Sequence, residues 1–232
     1  LQSPNLTTLV VPKVDSASDL NFISNVISHT LSTVKPTHSN PNPSSNTQIS
    51  IIALIESAKS ILNLREICAA TPHLSGLIFA AADFSKDLSL TQTPSLNEFL
   101  YARSAIVTAA RAHDLPSIID LVCTDFKTPA VLEDEALQGK RMGFNGKQCI
   151  HPSQVELVQR VFTPEEKEVE WAVRVVVADA KAAEGGRGAW TLDGKMIDVP
   201  VVERAKEIVR KAELCGVDVA ALREKFAGEK PQ

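Results

Sequence analysis

Two acidic residues each close an apolar run rich in β-branched or aromatic side chains. Glu56 follows I-S-I-I-A-L-I (49–55), and Asp83 ends G-L-I-F-A-A-A-D (76–83). Short apolar runs of this kind fit strands buried on both faces, as in a parallel sheet. Parallel α/β folds gather their ligands and reactive groups at the carboxyl ends of strands. Two carboxylates, each expected as the last residue of a buried strand, therefore point to one divalent-metal site. The same residues also fit a plain strand end or a cap on the following helix.

The elements that must position them alternate. Strands are expected near 7–14, 49–56, 76–83, 115–123 and 142–150, with helices from Asp15 or Ser16 to about Val34, over Ala58–Ala70, about Ser95–His113 and Pro129–Gly139. Strand–helix alternation implies βαβ crossovers and a parallel sheet. Lys35–Thr47 (K-P-T-H-S-N-P-N-P-S-S-N-T) has no periodicity and reads as a mobile surface loop that carries no site. From Ser153 onward the pattern turns helical. A helix is expected from Pro164 to about Glu184, broken by Gly185-Gly186-Arg187-Gly188. An extended segment, Ala189–Asp198, follows with an Asp193-Gly194 turn, then helices over about Pro200–Cys215 and Val219–Phe226. Residues 1–162 thus read as one unit and residues 163–232 as a helical extension.

Composition narrows the class. The chain has 232 residues, 44% hydrophobic and 22% charged, enough for a substantial core. A net charge of −4 gives no support for sequence-independent nucleic-acid binding. No apolar run approaches the ~20 residues that cross a bilayer. Cys68, Cys123, Cys149 and Cys215 form no C-x-x-C pair, which fits reduced thiols in an intracellular protein. The chain opens on Leu1 with no signal-like segment, as though it starts part-way through a larger pattern.

Four segments together resemble the citrate lyase beta-subunit-like family of the aldolase/citrate lyase superfamily. They are L-V-V-P-K-V (9–14), I-A-L-I-E-S-A (52–58), G-F-N-G-K-Q-C-I-H-P-S-Q-V (143–155) and G-A-W-T-L-D-G-K-M-I-D-V-P (188–200). The likeness continues through Y-A-R-S-A-I-V-T-A-A-R-A (101–112) and V-F-T-P-E-E (161–166), and looks nearest to the eukaryotic citrate lyase beta-like members. The resemblance implies a (β/α)₈ TIM barrel that uses Mg²⁺ on a hydroxyacyl-CoA thioester, with citramalyl-CoA lyase activity in the eukaryotic group. It implies Glu56 and Asp83 as metal ligands, and Asp198 as a general acid/base on a C-terminal segment that reaches a neighbouring subunit of a homotrimer or hexamer. From position alone Asp198 would be an N-cap. The stretch Ile150-His151-Pro152 resembles part of the wall that binds CoA. His151 could serve as a base, but a His before Pro beyond a strand more often holds the loop. Lys13 could meet a CoA phosphate, a substrate carboxylate or solvent. Arg103 and Arg111 read as ion-pairing residues on a helix outside the barrel. A methyl at Ala80, where the family usually has Gly, is expected to crowd a close approach to substrate. Mitochondrial residence is implied by the nearest relatives.

A (β/α)₈ barrel takes ~250 residues and eight strands, and only five are legible here, corresponding to strands four to eight. The family's R-S-x-L-F-x-P and V-R-x-N blocks, whose arginines are expected to clamp the substrate carboxylate, are absent, as is its D-L-E-D segment. The expectation is an open half-barrel sheet with two unpaired edges. Three functions remain open: a Mg²⁺-dependent carbon–carbon lyase of citramalyl-CoA or malyl-CoA type, a 2-keto acid aldolase or malate synthase-like enzyme, and a truncated paralogue or fragment that binds CoA or partner subunits without turnover.

Overall fold

The computed structural model describes residues 6–33, 49–184 and 188–231. The Lys35–Thr47 tract and the break at residues 185–187 lie outside the described residues. Two compact units are present, Leu1–Gln159 and Arg160–Gln232. Among the described residues no helix is long and apolar enough to cross a membrane.

The apolar runs of the first unit become five parallel strands: β1 (Thr8–Val11), β2 (Ser50–Ile55), β3 (Leu74–Phe79), β4 (Ser117–Asp120) and β5 (Gly146–Lys147). Their order in the sheet is their order in the chain, and β1 and β5 form its two edges. The sheet is open, as five consecutive strand–helix units require. Between the strands run α1 (Ala17–Thr33), α2 (Ala58–Leu62), α3 (Leu64–Cys68), α4 (Ala81–Leu88), α5 (Leu100–Ala112) and α6 (Pro129–Met142); α7 (Val155–Phe162) follows β5.

Strand periodicity sorts the side chains onto two faces. Ile51, Ala53, Ile55, Leu77, Phe79, Ile118 and Asp120 lie on the helix-covered face and are fully buried. On the opposite face Ile52, Leu54 and Ile119 are half-buried, and Val10 on the edge strand is exposed. Phe79, Phe84 and Phe99 meet edge to face, with ring centroids 5.3, 5.5 and 6.4 Å apart. Such contacts add about 0.5–1.5 kcal/mol per pair beyond the buried area. They fix α4 and the 3₁₀ turn Asn97–Phe99 against β3.

Several boundaries differ from those read in the sequence. The first and fourth strands are shorter, Thr8–Val11 and Ser117–Asp120, and three further differences have a clear local cause. The third strand ends at Phe79 instead of Asp83, because Ala81-Ala82-Asp83 already forms the first turn of α4. Alanine is the best helix former, so an A-A-A run after a strand prolongs the helix. The fifth strand is not 142–150 but two residues long. α6 continues to Met142, and Gly143 ends it at φ +101°, with Gly143 N–H on Lys140 O and Phe144 N–H on Gly139 O. Asn145 then lends its side chain to the ladder: its Oδ1 accepts from Ile118 N–H at 2.8 Å and its amide donates to Pro116 O. Ala58–Ala70 forms two short helices, parted at Asn63, whose side chain donates to Asp15 O.

Arg103, expected on an outer helix, is 2% exposed. From α5 it forms a two-pronged bond to Asp120 on β4, Nε–Oδ1 3.1 Å and Nη2–Oδ2 2.6 Å, with the Phe144 ring 5.7 Å from the guanidinium. Gly139 on α6 makes room: a Cβ there would lie 2.5 Å from Asp120 Oδ2.

The second unit is built from α8 (Glu166–Glu184), a hairpin of β6 (Trp190–Leu192) and β7 (Lys195–Ile197), α9 (Val199–Leu214) and α10 (Val219–Lys225). Its core gathers Val169, Val173, Trp190, Leu192, Ile197 and Val209. Asp193 and Gly194 both have positive φ, 50° and 74°, as a tight two-residue hairpin turn demands. Arg174 clamps that turn, bonding Asp193 at 2.7 and 2.9 Å and Glu229 at 2.7 Å.

Candidate functional site

The residues that follow β1, β2 and β3 come together beyond the carboxyl ends of those strands. A cavity of about 410 Å³ is lined by Lys13, Asp15, Glu56, Ser57, Asp83, Lys86 and Asp87. Glu56, the first residue after β2, is 6% exposed. Its Oε1 accepts from the backbone N–H of Lys13 at 2.7 Å, and the Lys13 ammonium lies 3.2 Å from the same oxygen. That ammonium also lies 3.4 Å from Asp83 Oδ1. The two carboxylates singled out in the sequence therefore share one cation. The bond to Glu56 and the charges of Glu56 and Asp83 hold the Lys13 ammonium above the usual lysine range.

Local sequence explains the placement. Lys13 adopts φ +57° after Pro12, a left-handed turn that few non-glycine residues take, and this turns its N–H onto Glu56. Asp19, the third residue of α1, accepts from the N–H groups of Asp15 and Ser16 at 3.0 and 2.9 Å. Burial pushes Asp19 up, but these bonds and the Ser16 hydroxyl outweigh it and hold the carboxyl below its ordinary range. Ser57 caps α2 in a reciprocal arrangement with Ser60, and its hydroxyl donates to Asp15. Asp87 accepts from Ala58 N–H at 2.7 Å, which ties α4 to the start of α2. Asp83 sits in the first turn of α4, where a carboxylate is favoured by the helix dipole. Ala80 has φ −101° and donates its N–H to Ile55 O, so the backbone there does not require glycine.

The donor set suits a hard divalent cation. Mg²⁺ takes one or two carboxylates and completes its shell with water and substrate oxygens. Two carboxylate oxygens that already share an ammonium meet that description. Among the described residues no group of three or more His, Cys, Asp or Glu could hold a metal unaided.

Elsewhere the block G-F-N-G-K-Q-C-I-H-P-S-Q (143–154) resolves mainly into scaffold. Lys147 is buried, with its ammonium 2.8 Å from Leu121 O and 2.9 Å from Glu135. Gln154, which sequence reasoning passed over, is 1% exposed. It accepts from Ile150 N–H and His151 N–H and donates to Cys123 O. His151 caps the 3₁₀ turn Pro152–Gln154, accepting from Ser153 N–H. Its ring stacks on Phe126, with centroids 4.9 Å apart and planes 19° from parallel, and the Lys127 ammonium lies 5.9 Å from the Phe126 ring. Ile150 beside it is 57% exposed. Phe126 and Lys127 were also missed. The signal was Asp125, whose carboxylate accepts from Lys127 N–H and Thr128 N–H and so shapes the turn before Pro129. In the second unit Asp198 is the N-cap of α9, accepting from Val201 N–H at 3.2 Å.

The model of the HpcH/HpaI aldolase/citrate lyase family matches residues 2–152. The chain is 32% identical over 214 residues to the mitochondrial citramalyl-CoA lyase of Homo sapiens, covering 89% of this chain and 60% of that protein. It is 38% identical over 167 residues to citrate lyase subunit beta of Escherichia coli K12, covering 72% of this chain and 55% of that one. The chain thus spans a little over half the length of these relatives. Among solved structures, CitE of Mycobacterium tuberculosis in complex with magnesium, acetoacetate and coenzyme A superposes with TM-score 0.66 at 28% identity, over 90% of this chain and 69% of that one. A citrate lyase of Burkholderia xenovorans superposes with TM-score 0.72 at 18% identity, over 94% of this chain and 68% of that one, a likeness of fold. With a family model spanning the whole open sheet and the same fold in a solved citrate lyase, the chain belongs to the HpcH/HpaI aldolase/citrate lyase family.

Proposed function

We propose that this chain carries the metal-binding part of a Mg²⁺-dependent carbon–carbon lyase that acts on a hydroxyacyl-CoA thioester of the citramalyl-CoA or malyl-CoA type. The observation that carries this reading is the convergence of Glu56 and Asp83 on one cation beyond the strand ends. The names of the human relative and of the magnesium- and CoA-bound CitE support the substrate class.

Glu56 and Asp83 would hold the ion, which when bound supplies Lewis-acid stabilisation of negative charge on the substrate oxygen next to the scissile bond. The buried Glu56, fixed by the Lys13 N–H, sets one ligand direction, and Asp83 sets the other through α4. Cleavage requires that the hydroxyl lose its proton and become a keto group. The electron pair of the broken C–C bond then passes to the α-carbon of the thioester, which takes up a proton. Asp198 is proposed to move these protons, supplied by a neighbouring copy in a homo-oligomer. Among the described residues its carboxylate accepts from Val201 N–H through Oδ1, which leaves the lone pairs of the other oxygen available. The exposed Phe126–His151 stack, with Lys127, Ile150 and Pro152, offers an aromatic face and a cation for the ring and phosphates of CoA. A mitochondrial location is part of this proposal, resting on the name of the human relative.

A second reading, CoA or subunit binding without turnover, is favoured by one feature: among the described residues the cavity lining holds two lysines and no arginine. The test is release of acetyl-CoA from citramalyl-CoA and malyl-CoA, with Mg²⁺ and with EDTA, beside E56Q and D83N. Metal-dependent release lost in both variants supports the lyase. No release, with CoA still bound, supports the second reading.

A further inference from the structure

The Lys13 side chain is not needed to orient Glu56. The backbone N–H of the same residue already donates to Glu56 Oε1 at 2.7 Å, and that bond survives any substitution that keeps an N–H. What the side chain adds is a positive charge 3.2 Å from Glu56 Oε1 and 3.4 Å from Asp83 Oδ1. A divalent cation bound by both oxygens would occupy the same small region. Like charges a few ångströms apart repel strongly even near a protein surface, so the ammonium and the ion cannot both keep these contacts. The lysine can leave, because its side chain is 70% exposed on a flexible four-carbon stem.

We propose that Lys13 is a built-in competitor for the divalent-metal site: a resident cation that keeps the two carboxylates paired, lowers their affinity for Mg²⁺, and swings out when the ion enters. This rests on the metal reading of Glu56 and Asp83 given above and adds a residue that sets the strength of that site. Lys86 and the acids Asp15 and Asp87 line the same cavity. Asp87 is engaged with Ala58 N–H and Asp15 with the Ser57 hydroxyl, which leaves Lys13 as the group that bridges the two ligand carboxylates.

The test is calorimetric titration of the whole chain with MgCl₂, with wild type, K13M, K13R and E56Q side by side at one pH and ionic strength. Methionine keeps the stem and removes the charge; arginine keeps the charge. K13M is expected to bind Mg²⁺ about tenfold more tightly than wild type, on the scale of one unit charge screened by solvent, and K13R within about threefold of wild type, with binding lost in E56Q. If wild type binds and E56Q does not, but K13M binds equally or more weakly, the competitor role is overturned while the metal site stands. If neither wild type nor K13M binds Mg²⁺, the metal reading falls, and the competitor role falls with it.

Discussion

Replacing Arg103 by Met tests whether the buried pair behind β4 organises the sheet. Both partners are at or below 2% exposure and meet through two bonds, at 2.6 and 3.1 Å. R103M leaves the Asp120 carboxylate in an apolar interior without its counter-charge, and breaking a buried pair in this way costs about 3–5 kcal/mol. The pair itself contributes far less than that, because its attraction is largely offset by desolvation of both charges. The double variant R103M/D120L should therefore recover most of the loss. With a urea dependence of roughly 2 kcal/mol per molar, the single variant should lower the unfolding midpoint by about 1.5–2.5 M. Far-UV circular dichroism is the right probe, because Trp171 and Trp190 both belong to the second unit and report on that one. Gly139 supplies an internal check. Alanine would ordinarily favour a helix interior by about 1 kcal/mol, yet its Cβ would collide with Asp120 Oδ2. G139A should therefore destabilise. A cost below about 1 kcal/mol for R103M, a double variant no better than the single one, or a stabilising G139A would each refute the reasoning.

Other outcomes follow from single residues. D198N should keep the cap on α9, since Asn caps as well as Asp, and leave the melting temperature unchanged, while lowering turnover by about 10²–10⁴-fold if Asp198 moves protons; equal loss of stability and activity would mean the cap alone matters. The Arg174 bonds hold the Asp193 carboxyl below its ordinary range. Its contribution to stability is therefore complete above the unfolded value of about 3.9 and is lost as pH falls through the lower folded value. Tryptophan-monitored stability should drop below about pH 4, and R174Q should flatten that part of the profile. Burial pushes the Cys68 thiol up to about 11, and Cys123 is buried too, whereas Cys149 and Cys215 are exposed. A disulfide-exchange reagent should therefore label two thiols in the native chain and the other two only on unfolding; early labelling of Cys68 would contradict the packing under α3.

The open sheet was legible because four of its five strands fall within short apolar runs punctuated by Gly, Pro or a polar cluster, and such runs carry their period in one dimension; β5, Gly146–Lys147, has no such signal. Glu56 was legible for the same reason: it stands where β2 stops. Asp83 was found for a reason that the fold corrects. It is not a strand terminus but a first-turn helix residue, brought to Glu56 because Phe84, Phe79 and Phe99 lock α4 against β3.

What the sequence by itself determined was the set of chemical groups and two of their local turns and caps: the acids, the Asp193-Gly194 turn and the Asp198 N-cap. Tertiary structure alone decided the pairings. Lys13 and Glu56 lie 43 positions apart and are joined because their strands are neighbours in register. Arg103 reads as an ion-pairing residue on an outer helix, but its partner and its burial come only from the fold, where Asp120 and the absent side chain of Gly139 make a place for it. Local preferences act over a few residues, whereas the energy of a buried charge depends on what the rest of the chain brings beside it.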